Sequence, residues 1–188
     1  MGADTHGMTI WLTGLSGAGK STVASGVHQM LTELGLSAAQ IDGDILREGL
    51  NSDLDFTTSG RAESVRRAGE VARLLALSGV VAIVSLVSPY GADRDLVRER
   101  HQVAGVPFVE VWVSAPLEVC EQRDTKGLYA RARRGDLRGL TGVDDPYETP
   151  RFAELELATH RLGIEDGIQM VVDLLGKVAP EVMQRNAT

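Results

Sequence analysis

The sequence has 188 residues, of which 43% are hydrophobic, and these values predict one domain with a full-sized core over residues 1–188. Its 26 acidic residues outnumber its 19 basic ones and give a net charge of -7, which argues against a nucleic-acid-binding protein that works through a broadly basic surface. The single cysteine, Cys120, excludes an intrachain disulfide and a multi-cysteine zinc site and is interpreted as a small buried residue.

No stretch of the sequence has the length of a membrane span. The longest apolar run, 79–87, is far shorter than the ~20 residues that a transmembrane helix needs. Residues 1–7 lack the basic and then apolar pattern of a secretory signal. We therefore expect a cytoplasmic protein without a membrane partner.

The first predicted elements surround a phosphate-binding motif. Residues 9–13 are typical of a short buried strand, and apolar residues after Lys20 recur at helical spacing. Between them lies the pattern Gly-x-x-x-x-Gly-Lys-Ser, made of Gly14, Leu15, Ser16, Gly17, Ala18, Gly19, Lys20 and Ser21 and followed by Thr22. Glycines let backbone N–H groups wrap around phosphates, the helix N-terminus adds positive potential, and the lysine and serine can serve the phosphates and Mg²⁺. A plain glycine-rich turn is the alternative.

Two carboxylates follow the second predicted strand, residues 36–41. Asp42 and Asp44 come directly after it, and ligands of open α/β sheets bind at the carboxyl ends of strands. Asp44 could also cap a helix that begins at Ile45, and Asp42 could be a turn residue. Both structural roles are compatible with chemistry.

The polar segment 51–60 carries one large apolar side chain, Phe56. A helix with apolar periodicity from Val65 ends near Gly79 and has Arg66 and Arg67 in its first turn. Phe56 and these arginines could hold a nucleotide by ring stacking and by charge. The alternatives are a core position for Phe56 and a solvated face for the arginines.

The rest of the chain alternates strands and helices. Further strands are predicted at 80–86, 108–113 and 155–158, and further helices at 93–104, 116–123 and 164–178. This alternation predicts an α/β fold, a doubly wound parallel sheet flanked by helices as in P-loop NTPases. His28 and His101, on amphipathic helices without a partner ligand nearby, are interpreted as surface residues.

The segment 123–145 combines arginines with scattered glycines, a composition typical of a mobile lid over a triphosphate. We place this lid at about 124–145. A solvated charged loop is the alternative.

Taken together, these motifs resemble those of the adenylylsulfate kinase family. The resemblance runs from Ile10 to about Pro150. Beside the P-loop it rests on seven short sequence segments: 42–44 with Arg47, 49–51, 66–67 with 70–72, 88–90, 118–121, 123–124 with 126–129, and 141–148. The P-loop alone indicates only a P-loop protein, whereas the last two segments are far more specific.

The resemblance implies an enzyme that uses ATP to phosphorylate the 3'-hydroxyl of adenylyl sulfate. It implies Mg²⁺ held by Ser21 and, through a bound water, by Asp42, and catalytic roles for Lys20, Asp42, Asp44 and Ser88. Ser88 matches a serine sometimes assigned as a phosphorylated intermediate, which direct in-line transfer does not need. The partners implied are ATP and adenylyl sulfate, and a homodimer is compatible with the pattern.

The resemblance also implies binding residues. For ATP these are the P-loop residues 14–22 together with Arg123 and Lys126. For adenylyl sulfate they are Asp42, Asp44, Arg47, Phe56, Arg61, Ser64, Ser88, Lys126, Gly127, Leu128 and Leu140.

Some positions depart from the family pattern. Ser64 stands where an asparagine is usual, Leu140 stands where many members have a phenylalanine, and 52–61 also differs. They leave open a relative that phosphorylates another activated nucleotide or a small alcohol. A GTP-binding switch protein is disfavoured because neither asparagine, Asn51 or Asn186, lies in an Asn-Lys-x-Asp segment. A non-catalytic nucleotide sensor is disfavoured by the complete P-loop and both aspartates.

Overall fold

A five-stranded parallel sheet organises the computed structural model, which describes residues 6–184. In chain order the elements are β1 (Met8–Thr13), α1 (Lys20–Glu33), β2 (Ala38–Asp42), α2 (Gly43–Glu48), α3 (Thr58–Leu77), β3 (Val81–Ser85), α4 (Gly91–Val103), β4 (Phe108–Val113), α5 (Leu117–Arg123), α6 (Leu128–Arg133), β5 (Leu155–Leu157), α7 (Ile164–Val178) and α8 (Pro180–Met183). The strand order is β2-β3-β1-β4-β5, with every neighbouring pair parallel. The predicted doubly wound α/β fold is confirmed.

Apolar side chains cover both faces of the sheet. Because successive residues of a strand point to opposite faces, Ile10 and Leu12 of β1 join the core under α1 and α7, whereas Trp11 joins the core under α3 and α4. All three side chains are fully buried, and Cys120 is buried as well. No helix within residues 6–184 combines the length and apolar character needed to cross a membrane.

Helix α3 begins at Thr58, well before the apolar periodicity that starts at Val65. Its N-cap is Thr57, whose hydroxyl accepts a hydrogen bond from the N–H of Gly60 at 3.1 Å. Arg61 and Ser64 therefore belong to the first turns of α3, which fixes their positions.

Helix α6 lies within the segment predicted as a lid and was not expected as a helix. Its first N–H groups are satisfied by the Asp124 carboxylate, which accepts from the N–H groups of Tyr129 at 3.1 Å and Ala130 at 3.0 Å. A side chain that satisfies these groups favours a short helix here.

The interpretation of His101 as a surface residue is wrong. The ring is fully buried on α4, and its Nδ1 lies 2.8 Å from the Val97 carbonyl. A carbonyl can only accept, so Nδ1 carries the proton and Nε2 accepts from the Thr9 hydroxyl at 2.9 Å. Burial lowers the pKa of His101 and favours the neutral ring. His28 is partly exposed.

Candidate active site

A cavity of about 660 Å³ opens at the carboxyl edge of the sheet. It is bounded by the P-loop, the ends of β2 and β3, the start of α3, part of 123–141 and the connection from β5 to α7. The predicted site residues that line it are Ser16, Gly17, Gly19, Lys20, Ser21, Thr22, Asp42, Asp44, Arg47, Phe56, Arg61, Ser64, Ser88, Arg123, Lys126, Leu128 and Leu140. Among the other predicted residues, Gly14, Leu15, Ala18 and Gly127 do not line it.

The P-loop adopts backbone angles that require glycine. Gly14 has a φ of 151°, and a Cβ there would lie 2.4 Å from the Val113 carbonyl oxygen. Gly19 has a φ of 101° and forms the left-handed N-cap of α1. Lys20 follows directly, and its Nζ donates to the Leu15 carbonyl at 2.8 Å. Burial lowers the pKa of Lys20 to about 8.

Side chains from distant parts of the chain bind the carbonyl groups of the P-loop. The Tyr129 hydroxyl donates to Ser16 O at 2.8 Å, and the Thr159 hydroxyl donates to Ala18 O at 2.6 Å. The guanidinium of Arg123 donates to Gly17 O at 3.1 Å and to Thr159 O at 3.0 Å. Sequence reasoning missed Tyr129 and Thr159, since neither residue type nor local spacing signals a contact with the P-loop.

Asp42, at the end of β2, contacts the P-loop residue Ser21 and also caps helix α2. Its carboxylate accepts from the hydroxyls of Ser21 and Ser85, each at 2.7 Å, and from the N–H of Asp44 at 2.9 Å. The last contact makes Asp42, and not Asp44, the N-cap of α2, which corrects the expected cap. Burial raises the pKa of Asp42, but these hydrogen bonds outweigh it and hold the pKa below its ordinary value.

Asp44 lies in the first turn of α2 with an exposed carboxylate. That carboxylate forms an ion pair with Lys126, which lies in the segment predicted as a lid. The contact brings this segment across the cavity to the end of β2.

Phe56 is 57% exposed and lines the cavity, so a core position is wrong. The guanidinium of Arg47 lies 3.9 Å from its ring centroid and donates to Leu54 O at 2.9 Å. Arg61 donates to Phe56 O at 3.1 Å and to Gly139 O at 2.5 Å. The two arginines therefore hold the Phe56 loop, and Arg61 joins it to the 124–145 segment.

Arg66 and Arg67 lie on a solvated face, as one of the two interpretations held. Arg66 pairs with Glu63, whereas Arg67 pairs with Glu63 and Asp53. Neither arginine lines the cavity.

The two positions that depart from the family pattern both face the cavity. Ser64 is buried, and its hydroxyl accepts from Asn51 Nδ2 at 2.9 Å. Leu140 is 8% exposed and packs into the core beneath the P-loop. The Asp144 carboxylate accepts from the N–H groups of Gly139 and Leu140, each at 2.7 Å, and so fixes the backbone at this position.

The Ser88 hydroxyl belongs to a buried network. It accepts from Trp11 Nε1 at 3.1 Å and donates to Thr13 Oγ1 at 2.9 Å, and the residue is 2% exposed with a φ of 39°. Its carbonyl accepts from Arg94 at 2.6 Å, and Arg94 forms a buried ion pair with Glu110 at 2.7 Å. The Ser88 hydroxyl is therefore engaged in hydrogen bonds both as acceptor and as donor, and it is not free to accept a phosphoryl group.

Comparison with known proteins decides the family. The family model described as adenylylsulphate kinase matches residues 6–158. The chain belongs to the adenylylsulfate kinase family. The adenylylsulfate kinase of Saccharomyces cerevisiae is 48% identical to it over 90% of this chain and 84% of the yeast protein. That of Paraburkholderia xenovorans is 49% identical over 89% of this chain and 92% of the bacterial protein.

A solved adenylylsulfate kinase also has this fold. The Mycobacterium tuberculosis enzyme, determined in complex with AMPPNP and APS, has a TM-score of 0.88 and 48% identity to this chain. The likeness covers 90% of this chain and 98% of that one. The resemblance inferred from the motifs is thus confirmed.

Proposed function

We propose that the protein transfers the γ-phosphoryl group of ATP to the 3'-hydroxyl of adenylyl sulfate, giving ADP and 3'-phosphoadenylyl sulfate for sulfate activation. The observation that carries the proposal is one cavity that contains the P-loop, the carboxylates of Asp42 and Asp44, and Phe56 with its two arginines. Phosphate-binding, proton-accepting and base-stacking groups then face one another, as a nucleotide 3'-kinase requires. The identity of nearly half with adenylylsulfate kinases supports this acceptor.

The chemistry assigned to the residues is a direct in-line transfer. The 3'-oxygen attacks the γ-phosphorus, the bond from that phosphorus to the β,γ-bridging oxygen breaks, and ADP leaves. Asp44 accepts the proton of the hydroxyl, since its carboxylate is exposed to the cavity at the end of β2. Lys20 and the P-loop N–H groups stabilise the charge on the phosphates.

The residues present fit Mg²⁺. Ser21 would be the direct ligand and Asp42 would hold a metal-bound water, which agrees with the 2.7 Å contact between their side chains. Within residues 6–184 no cluster of three or more His, Cys, Asp or Glu side chains could hold a metal, and Mg²⁺ in kinases commonly takes most of its ligands from phosphates and water. When bound, Mg²⁺ neutralises charge on the β- and γ-phosphates.

The wider expectations belong to the same proposal. Residues 124–145 form the lid, the chain is one cytoplasmic domain, and Ser88 holds the turn after β3 without taking a phosphoryl group. The small-molecule partners are ATP and adenylyl sulfate. A homodimer stays a prediction that sedimentation velocity would test.

The test is product identity. The protein, incubated with ATP, Mg²⁺ and adenylyl sulfate, is expected to form a product whose mass is that of 3'-phosphoadenylyl sulfate. A second candidate acceptor, another activated nucleotide or a small alcohol, is favoured by Ser64 and Leu140 in the acceptor part of the cavity. A kcat/KM for adenylyl sulfate below about 10³ M⁻¹s⁻¹, under the usual enzyme range, together with faster use of such a compound, would transfer the assignment to it.

A further inference from the structure

The carbonyl groups of three successive P-loop residues are held from outside the loop. Ser16 O, Gly17 O and Ala18 O receive hydrogen bonds from Tyr129, Arg123 and Thr159 respectively. Glycine residues gain the most conformational freedom when a loop is unrestrained, so a loop containing Gly17 and Gly19 depends on such contacts for one conformation.

We infer that Tyr129 is a positioning residue for the phosphates of the nucleotide and acts through the Ser16 peptide group. The C=O and N–H of a trans peptide point in opposite directions. Since Ser16 O faces Tyr129, the N–H of Gly17 points away from it. In the same way Thr159, by holding Ala18 O, directs the N–H of Gly19 to the opposite side. Gly17 and Gly19 line the cavity, whereas Ala18 between them does not.

Tyr129 is suited to this task because its hydroxyl is a buried donor aimed at Ser16 O. The residue is 2% exposed, and its ring belongs to the core beneath the P-loop. Burial raises the pKa of Tyr129, so the hydroxyl keeps its proton and stays a donor. Tyr129 is also in the first turn of α6, so its hydrogen bond joins this helix to the P-loop.

Tyr129→Phe tests the inference because it removes one oxygen and keeps the ring. The inference rests on the proposed function only in taking ATP as the phosphoryl donor. We expect the KM for ATP and the Kd for AMPPNP with Mg²⁺ to rise about three- to tenfold, the range for one lost hydrogen bond. The KM for adenylyl sulfate and the kcat at saturating ATP should stay within twofold, which a general loss of structure would not produce.

A probe without a base separates the phosphate cradle from the adenine site. Inorganic tripolyphosphate should lose affinity for Tyr129→Phe by the same factor as AMPPNP. Both binding measurements are independent of the acceptor, so they test Tyr129 even if the wild type fails to phosphorylate adenylyl sulfate.

The matched control is Tyr147→Phe, since the Tyr147 hydroxyl lies 3.1 Å from Thr13 Oγ1 and is not bonded to a P-loop carbonyl. It should leave the Kd for AMPPNP unchanged. Should Tyr129→Phe melt below the assay temperature, Thr159→Val removes the shorter of two hydrogen bonds to Ala18 O, the other coming from Arg123 at 3.3 Å, and should weaken tripolyphosphate binding in the same direction. Unchanged Kd values for AMPPNP and tripolyphosphate in a folded Tyr129→Phe protein would overturn the inference, as would equal losses for ATP and adenylyl sulfate.

Discussion

Lys126, in the segment proposed as a lid, forms an ion pair with Asp44 at the start of α2. Both side chains are well exposed, 49% for the lysine and 66% for the aspartate, so the pair contributes at most about 1 kcal/mol in water. Substrates can therefore displace it at little cost. The contact joins the segment 124–145, which we propose as a lid, to the opposite side of the cavity through an interaction that is easily broken.

Asp44→Asn should lower kcat by about 10² to 10⁴, the usual range for a general base. The start of α2 should be preserved, because Asp42 provides its cap. Steady-state kinetics with adenylyl sulfate and thermal unfolding measure the two effects. Asp53→Asn, at an exposed carboxylate outside the cavity, is the control and should retain kcat. An unchanged kcat in Asp44→Asn would leave Asp44 with a structural role only.

Ser88→Ala should retain phosphoryl transfer within about threefold of wild type. It should also unfold at a lower temperature, since Trp11 Nε1 loses its buried acceptor at a cost of about 1–3 kcal/mol. The measurements are kcat, the melting temperature and the mass of the protein after incubation with ATP. A phosphorylated Ser88 in the wild type, together with an inactive but folded variant, would contradict this expectation.

The pH dependence of kcat/KM for ATP should reflect the protonation of Lys20. Its pKa of about 8 means that the free enzyme loses this positive charge as the pH rises through 8. Because kcat/KM reports the free enzyme, kcat/KM for ATP should fall about tenfold per pH unit above that value. Lys20→Ala should be folded, lose at least ~10²-fold in kcat and lack this limb of the profile. A wild-type profile that is flat to pH 9.5 would refute the assignment.

Leu140→Phe tests the acceptor. If adenylyl sulfate is the substrate, Phe56 already supplies a stacking face, so kcat should not change and the KM for adenylyl sulfate should stay or fall. The fall would match the ~0.5–1.5 kcal/mol that an aromatic pair adds. A poor wild-type rate with adenylyl sulfate, raised by the substitution, would instead indicate a different natural acceptor.

Stability at mildly acidic pH should depend on His101. Its folded-state pKa lies below the ordinary value of 6.5 because of burial, so the unfolded chain binds a proton more tightly. The contribution of the neutral ring is thus complete above pH 6.5 and is lost as the pH falls below it. Urea unfolding at pH 7.5 and 5.5 should show this loss in wild type and in the control His28→Gln but less of it in His101→Leu. Equal pH dependence in all three proteins would contradict the assignment.

Local patterns predicted the parts of the protein that local sequence determines. The P-loop lies between β1 and α1, and Asp42 ends β2, as predicted. These features could be predicted because glycine conformation, helix periodicity and strand burial depend on residues that are neighbours in the sequence. The start of α3 was missed because its first turn is polar and is stabilised by the cap at Thr57.

Contacts between distant residues could not be read in the same way. The partner of His101 is Thr9, 92 residues away, and Tyr129 is 113 residues from Ser16. Neither a histidine on an amphipathic helix nor a tyrosine in a charged segment has a local sequence feature that predicts a partner so far away in the sequence. Only the tertiary fold, which places His101 beside Thr9 and Tyr129 beside Ser16, supplies them.

The buried pair of Arg94 and Glu110 restricts how this protein can change over generations. Replacing Glu110 alone leaves the Arg94 guanidinium buried without its closest counter-charge, at a cost of about 3–5 kcal/mol, a large part of the stability of a whole domain. Replacing both by well-packed apolar residues avoids that cost, although the Ser88 and Glu148 carbonyls would then need new donors. The two positions are therefore epistatic, since the cost of replacing Glu110 depends on whether Arg94 is still present, whereas replacing Arg94 first leaves Glu110 paired with Arg98.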